Sequence, residues 1–259
     1  MRFLDATREE QLLHLSPALA EAIATSVAAH AAPPTYGLRR QRPYVLLGPQ
    51  DLRLPRTEAG VAWLQAQGLP VYVRVGGGAA VLLDEGCLSF FAAIPTRDLG
   101  SVDENFRALT APVRTALARL TVPVRFGRAP GSFCEGPQDL VSQGGRKIAG
   151  VSQALRRGYS LVSGMLLVRQ DPVATTALLQ EFYRRAGSGR ELRASAVTSL
   201  AQELGREPSL EEVKEAIVEA AGELGWDKEP SMPSPQEAAG AEELLGRRRF
   251  LSTAHGAER

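Results

Sequence analysis

Apolar positions change their spacing several times along the chain, and each change marks an element. Ser16-Pro17 sets a capping hydroxyl before a proline whose missing N–H costs nothing in a first turn, so a helix starts there. Alanine-rich sequence carries it to about His30, and Pro33-Pro34 stops it. Tyr44-Val45-Leu46-Leu47 reads as a strand, and residues 57–68 as a short helix closed by Gly68. Val71-Tyr72-Val73-Arg74 and the run Ala79, Val81, Leu82, Leu83 are strand-like on either side of Gly76-Gly77-Gly78. Cys87 to Ile94 is a further apolar run of strand length.

Ser101-Val102-Asp103-Glu104 is a capping box, after which Phe106, Leu109, Val113, Leu117 and Leu120 follow at helical spacing. Residues 122–126 read as a strand. The stretch 138–168 predicts a hairpin-like unit turning at Gly144-Gly145 and again at Arg157-Gly158. Asp171-Pro172 opens a helix that ends near Gly187, and two more helices follow, with Ser209-Leu210-Glu211-Glu212 as a second capping box. Strands flanked by helices, without regular strand–helix alternation, predict an α+β fold. Residues 1–226 are expected to form the main domain. The proline-rich stretch 227–235 reads as a linker, so 227–259 is expected as linker and short C-terminal helical tail, the helix ending in Arg247-Arg248-Arg249.

Composition narrows the class. A hydrophobic fraction of 44% over 259 residues is ample for a sizeable core. A net charge of +1 offers no global field toward nucleic acid or a membrane surface. Two cysteines make no disulfide framework. No run approaches the ~20 apolar residues of a membrane span. Met1-Arg2-Phe3-Leu4-Asp5 lacks the apolar core of a secretory signal, so the expected address is cytoplasmic.

Arginine supplies nearly all of the positive charge. Lys147 is the only lysine before Lys214, and it stands in Gly145-Arg146-Lys147-Ile148-Ala149-Gly150. Arginine stays charged, whereas burial can retune a lysine for acid/base work. Thirteen residues upstream, Cys134 sits in Gly131-Ser132-Phe133-Cys134-Glu135-Gly136-Pro137, a loop composition that exposes it. The thiolate is the nucleophilic form, and Lys147 on an adjacent strand is the ammonium expected to favour it. Cys87, beside Leu88 and Phe90-Phe91, reads as buried and inert. Three consecutive glycines let a ligand approach the main chain, although alone they mark a turn or bulge at least as readily.

Several of these segments fall into one pattern. Arg74-Val75-Gly76-Gly77-Gly78-Ala79-Ala80-Val81, Asp84-Glu85-Gly86, Ser132-Phe133-Cys134-Glu135-Gly136-Pro137-Gln138-Asp139-Leu140 and Gly145-Arg146-Lys147-Ile148-Ala149-Gly150-Val151-Ser152-Gln153 resemble the lipoate–protein ligase and octanoyltransferase superfamily. The likeness covers about residues 35 to 220 and is nearest to the branch of octanoyl-[glycine cleavage H protein]:protein N-octanoyltransferases. It implies a curved mixed β-sheet flanked by helices, the catalytic core of biotin and lipoate ligases. It implies that Arg74, Gly76, Gly77, Gly78, Ala79, Asp84, Gly150, Val151 and Ser152 bind an acyl substrate, with Cys134 and Lys147 catalytic.

The implied activity is transfer of an octanoyl or lipoyl group from the glycine cleavage H protein to a lysine of the lipoyl domains of E2 subunits, through a cysteine thioester. It needs no metal, ATP or other cofactor. Two positions depart from the pattern: Gly76, where the family usually has serine, and Ser163, where many ligases and carrier-protein-dependent transferases have histidine. ATP-dependent ligases usually lack the cysteine, so Cys134 argues for transfer without ATP. Transfer from octanoyl-acyl carrier protein and ATP-dependent lipoate ligation are the alternatives. Arg39-Arg40, Arg42, Arg53, Arg56 and Arg156-Arg157 are expected either as a solvated face or as a docking patch for an acidic partner.

Overall fold

Residues 1–96 and 100–250 are described by the structure, a computed structural model. In chain order the first elements are β1 (Arg2–Ala6), α1 (Ser16–Ala28), β2 (Thr35–Arg39), β3 (Tyr44–Leu47), α2 (Thr57–Ala66), β4 (Val71–Val73), β5 (Val81–Leu83) and β6 (Cys87–Pro95). There follow α3 (Val102–Leu109), α4 (Ala111–Arg119), β7 (Arg125–Phe126), β8 (Leu140–Val141), β9 (Lys147–Arg156) and β10 (Tyr159–Leu167). The chain closes with α5 (Pro172–Arg185), α6 (Leu200–Leu204), α7 (Leu210–Glu223), β11 (Pro230–Ser231) and α8 (Pro235–Arg248).

Eight strands form one mixed sheet in the order β11-β1-β2-β6-β10-β9-β8-β7, and β4-β3-β5 form a second, smaller one. In the large sheet β1 runs parallel to β11 and β2, while β2, β6, β10, β9, β8 and β7 pair antiparallel in turn. The α+β expectation and the hairpin over 138–168 are therefore present. One face of the large sheet packs Leu38, Leu88, Phe90 and Val162 against Val113 and Leu117 of α4 and Val213 and Ile217 of α7. The other face is shared. Phe91, Ala93 and Leu161 lie under Leu19 and Ile23 of α1, with Ala241 of α8 in the same cluster. Cys87, Met165 and Leu167 meet the small sheet and its covering helices through Val45, Leu64, Leu179 and Phe182. Two cores side by side on one face leave a cleft between them.

The helix expected across 101–120 is two helices. The Ser101/Glu104 capping box is present, but Pro112 lies in the first turn of a new helix and α3 ends at Thr110. Ser209 caps α7, yet the Glu212 carboxylate accepts from Arg206 rather than closing a box. β1 and β2 were not foreseen: β2 is buried at all five positions and so lacks the alternation by which a half-exposed strand is read.

The stretch expected as a linker pairs β11 with β1. Beyond it α8 has a capping box of its own, Ser234/Glu237, and buried Glu237 pairs with Arg2 at 2.7 Å. Residues 251–259 of the expected tail lie outside the described residues. No helix among the described residues is long and apolar enough to cross a membrane.

Candidate active site

The cleft has a volume of about 420 Å3. Its floor is a row of the large sheet and its far wall is the small sheet, with Tyr44, Leu46, Val73 and Leu83 facing inward. At one end two glycine-rich segments meet: the loop after β4, carrying Gly76, Gly77 and Gly78, and the turn at 131–137.

Cys134 sits in that turn with φ 45°, a left-handed conformation that a non-glycine residue adopts only when its surroundings enforce it. Its Sγ accepts from Arg74 Nη2 at 3.0 Å and from the Ala79 N–H at 3.2 Å. The same Arg74 Nη2 also donates to the Ala79 carbonyl, so side chain and loop brace each other. Gly78 has φ +102°, and a Cβ there would lie 2.7 Å from both Sγ and Arg74 Nη2. Only glycine brings this loop against the thiol. Burial pushes the Cys134 thiol up, but the Arg74 guanidinium, then Lys147 and the Ala79 N–H, outweigh it and hold the pKa below the ordinary thiol value.

Lys147 is fully buried at the start of β9. Its Nζ donates to the Phe133 carbonyl at 3.0 Å and the Cys134 carbonyl at 2.8 Å, and pairs with Asp139 Oδ2 at 2.9 Å. The ammonium expected beside the thiol thus grips the backbone of the thiol's turn, and the cation in contact with sulfur is Arg74. Burial pushes the Asp139 carboxyl above the usual carboxylate range, against the pull of Lys147 and of the Gly136 and Val151 N–H groups. Gly150 completes the packing: a Cβ there would come 3.2 Å from Lys147 Nζ.

The residues named from sequence mostly converge. Arg74, Gly76, Gly77, Gly78, Cys134, Lys147, Gly150, Val151 and Ser152 all line the cleft. Ala79 reaches the thiol through its N–H and lines a neighbouring polar cavity of about 350 Å3, which Cys134 and Gly78 share. Asp84 does not belong to the cleft wall. Its carboxylate accepts from the Gly86 N–H and from Gln170 Nε2, holding the turn between β5 and β6. A Cβ on Gly76 would approach Ser152 Oγ at 3.2 Å, so the serine hydroxyl of β9 occupies the space beside the glycine. Arg39 leaves the docking patch altogether, being buried and lining the cleft, while Arg40 and Arg42 pair with Glu10.

Three residues without an assigned role in the sequence reading support the site. Tyr183 on α5 accepts from the Ala80 N–H at 3.1 Å and donates to Asp51 Oδ1 at 3.0 Å, and Asp51 Oδ2 accepts from the Gly48 N–H at 2.8 Å. Gly48 in turn lies against the Gly78 carbonyl. Asp139 is the third, quoted in its run of sequence but not recognised as the partner of Lys147. The only available signal was a polar residue beside each loop, which is no signal in a chain with many of them.

With this geometry in view, comparisons with known proteins are specific. Residues 14–222 match the family described as "Lipoyl protein ligase A/B catalytic domain". An octanoyl-[GcvH]:protein N-octanoyltransferase of Kyrpidia tusciae is 36% identical over 202 residues, 74% of this chain and 69% of that protein. A lipoyl-[GcvH]:protein N-lipoyltransferase of Listeria monocytogenes is 29% identical over 195 residues, 74% of this chain and 70% of that protein. Among solved structures, a putative lipoate protein ligase from T. acidophilum with bound lipoic acid superposes with a TM-score of 0.72 at 23% identity. It covers 95% of each chain, and the likeness is one of fold.

Proposed function

The chain belongs to the lipoyl protein ligase A/B catalytic-domain family, beside its GcvH-dependent octanoyltransferases, and on that premise we propose that it is a cytoplasmic acyltransferase working through a thioester on Cys134. It takes an octanoyl or lipoyl group from a lysine of the glycine cleavage H protein and delivers it to a lysine of E2 lipoyl domains. The observation that carries this reading is the Cys134 sulfur, held between the Arg74 guanidinium and the Ala79 N–H at one end of the cleft. Adenylate chemistry needs no nucleophilic sulfur, which favours transfer over ligation.

The Cys134 thiolate attacks the amide carbonyl of the donor, and the Ala79 N–H is near enough to stabilise the oxyanion. As the C–N bond breaks, Lys147 gives its proton to the departing lysine amine. Neutral Lys147 then takes a proton from the incoming lysine as that amine attacks the thioester, and the C–S bond breaks to return the thiolate. One amide is consumed and one is made, so no energy source enters the balance. Asp139 keeps the Lys147 ammonium in place between turnovers. The acyl chain lies in the cleft, and the amine reaches Cys134 through the neighbouring polar cavity that Gly131, Arg190 and Leu192 also line.

The test is incubation of octanoylated H protein with an apo lipoyl domain in the absence of ATP. Transfer of the octanoyl group, with a hydroxylamine-labile adduct on Cys134 when the acceptor is left out, is the expected result. A requirement for ATP, or acylation surviving in Cys134→Ala, would overturn it.

A further inference from the structure

The strand that delivers Arg74 to the Cys134 sulfur is short. β4 has three residues, lies at the edge of the small sheet and runs directly into Arg74, whose N–H donates to the Leu47 carbonyl at 3.1 Å. On one side it pairs with β3. A strand this short, bonded on one side alone, would be among the first parts of a fold to open. Its other edge is taken by the chain just past α8. Arg249 bridges Tyr72 antiparallel, the Phe250 N–H donates to the Val71 carbonyl at 2.8 Å, and Gln65 Nε2 donates to the Phe250 carbonyl at 2.8 Å.

α8 itself is tied to the rest of the cleft. At its start the buried Glu237 carboxylate accepts from both Nη atoms of Arg2, at 2.7 and 3.3 Å, beside the pairing of β11 with β1. Further along, Ala241, Leu244 and Leu245 pack in the cluster of Leu19 and Ile23 from α1. At its last turn Arg248 grips Glu21 of α1 through Nε at 3.1 Å and Nη2 at 2.5 Å, and Glu21 lines the cleft. Such a two-point arginine–carboxylate pair fixes direction as well as distance. Val75, next to Arg74, packs against that same α1 cluster, whereas Phe250 packs against the cluster that holds the small sheet. The helix thus lies in one of the two cores that flank the cleft, and its end lies in the other.

We infer that the end of α8 is a clasp that positions Arg74: Arg248 anchors it to α1, Arg249 and Phe250 anchor it to β4, and together they set the guanidinium against the Cys134 sulfur. Arg248 and Phe250 line neither the cleft nor the polar cavity, so they act through β4 and Arg74 as positioning residues. For its consequence in transfer the inference rests on the thioester reading of Cys134, and for its effect on the thiol it rests on geometry.

The test is the pH dependence of Cys134 alkylation by iodoacetamide, read by peptide mass in the full chain. Arg248→Glu sets two carboxylates against each other at Glu21, and Phe250→Ala empties the contact with the small-sheet core, so the two injure the clasp at opposite ends. In each, the midpoint should rise by at least about half a pH unit, part of the roughly 1–3 units that a nearby opposite charge supplies. Acylation of Cys134 near neutral pH by the octanoyl thioester of N-acetylcysteamine should slow about threefold or more, the same half unit expressed as thiolate fraction. Arg248→Lys keeps a cation opposite Glu21 and should hold the midpoint close to that of the wild type. Arg247→Glu makes the same change of charge one residue earlier, where the partner is Glu243 of the same helix, and should leave the midpoint where it is. An unmoved midpoint in both Arg248→Glu and Phe250→Ala, or an equal rise in Arg247→Glu, overturns the clasp. Labelling of Cys87 marks a variant whose core has opened, and the milder Arg248→Gln then decides. A wild-type enzyme that is alkylated but takes no octanoyl group from the thioester overturns the thioester reading, while the midpoints still judge the clasp.

Discussion

Cys87 and Cys134 pack with the same apolar cluster, yet one thiol is fully buried with its pKa pushed up and the other has a pKa held down beside a guanidinium. Burial pushes both thiols up, and for both it is the largest influence. At Cys87 the nearby Asp84 carboxylate adds to that push, and the pKa ends well above the ordinary value. At Cys134 the Arg74 guanidinium 3.0 Å away, with Lys147 behind it, reverses the sign. Withdrawal from water therefore does not distinguish a reactive cysteine from a packing one. The charge placed against it does, and here that charge comes from a residue 60 positions earlier in the chain.

The sharpest way to break the comparison is to remove each sulfur in turn. Cys134→Ala should abolish transfer, a loss on the order of 10^4-fold or more, the scale on which removal of a nucleophile acts. Cys87→Ala should keep wild-type turnover and lower stability by about 1 kcal/mol, since it empties only a sulfur-sized volume of core. Turnover assays beside denaturant melts check both. Loss of activity in Cys87→Ala at full folding would erase the distinction.

Next comes the loop whose Ala79 N–H bonds the Cys134 sulfur. Gly78→Ala meets a backbone at φ +102° and sets a Cβ against both Sγ and Arg74 Nη2. Displacing reacting groups by about 1 Å costs on the order of 10^2-fold, and transfer should fall by that amount. Acyl-enzyme formation from a small thioester should slow in parallel, because the injury is at the sulfur and not at the partner surface.

The charge itself is tested by Arg74→Gln. A thiol whose pKa is lowered keeps its thiolate to lower pH than free cysteine, so iodoacetamide should label Cys134 at a rate that levels off at lower pH than for a free thiol. In Arg74→Gln the midpoint should move to higher pH, and transfer near neutral pH should drop roughly tenfold, as loss of one charged hydrogen bond predicts. Cys87 should stay unlabelled in both folded proteins. An unmoved midpoint would shift the credit to Lys147.

The glycine loop, the cysteine turn and the lysine strand were legible because each leaves a local mark: three glycines, a cysteine among turn formers, and a lysine in a chain of arginines. The hairpin was legible from its two glycine turns. What was not legible is long-range. Arg74 could be read as lining a loop, but not as the partner of a sulfur, because that contact exists only when β4 and the 131–137 turn are brought together. Arg39 looked like one more surface arginine until β2 was seen to be buried on both faces. Within 227–235, read as a linker, the pairing of Pro230 and Ser231 with β1 was hidden for the same reason, since prolines do not exclude a two-residue edge strand.

The smallest expected effect lies in the brace behind the loop. Tyr183 is buried, and its hydroxyl accepts from the Ala80 N–H and from Arg190 Nη1 while donating to Asp51. Burial and the Asp51 carboxylate both push its pKa up, so the hydroxyl stays protonated and able to donate. Burial likewise pushes the Asp51 carboxyl above its usual range, against the Gly48 N–H and this same hydroxyl. Tyr183→Phe leaves the Ala80 N–H and one Asp51 oxygen without their partner, at about 1–3 kcal/mol of stability. The ring and its packing on Phe182 remain. The Ala79 N–H one residue before is then held less firmly against Cys134 Sγ, and transfer should fall only a few-fold. The Cys134 alkylation midpoint should rise slightly, because one of its lesser supports has loosened while Arg74 is untouched. Cys87 provides the internal control: it is fully buried and takes no part in these hydrogen bonds, so any labelling of Cys87 in Tyr183→Phe would mean that the mutation opened the shared core instead of relaxing the loop.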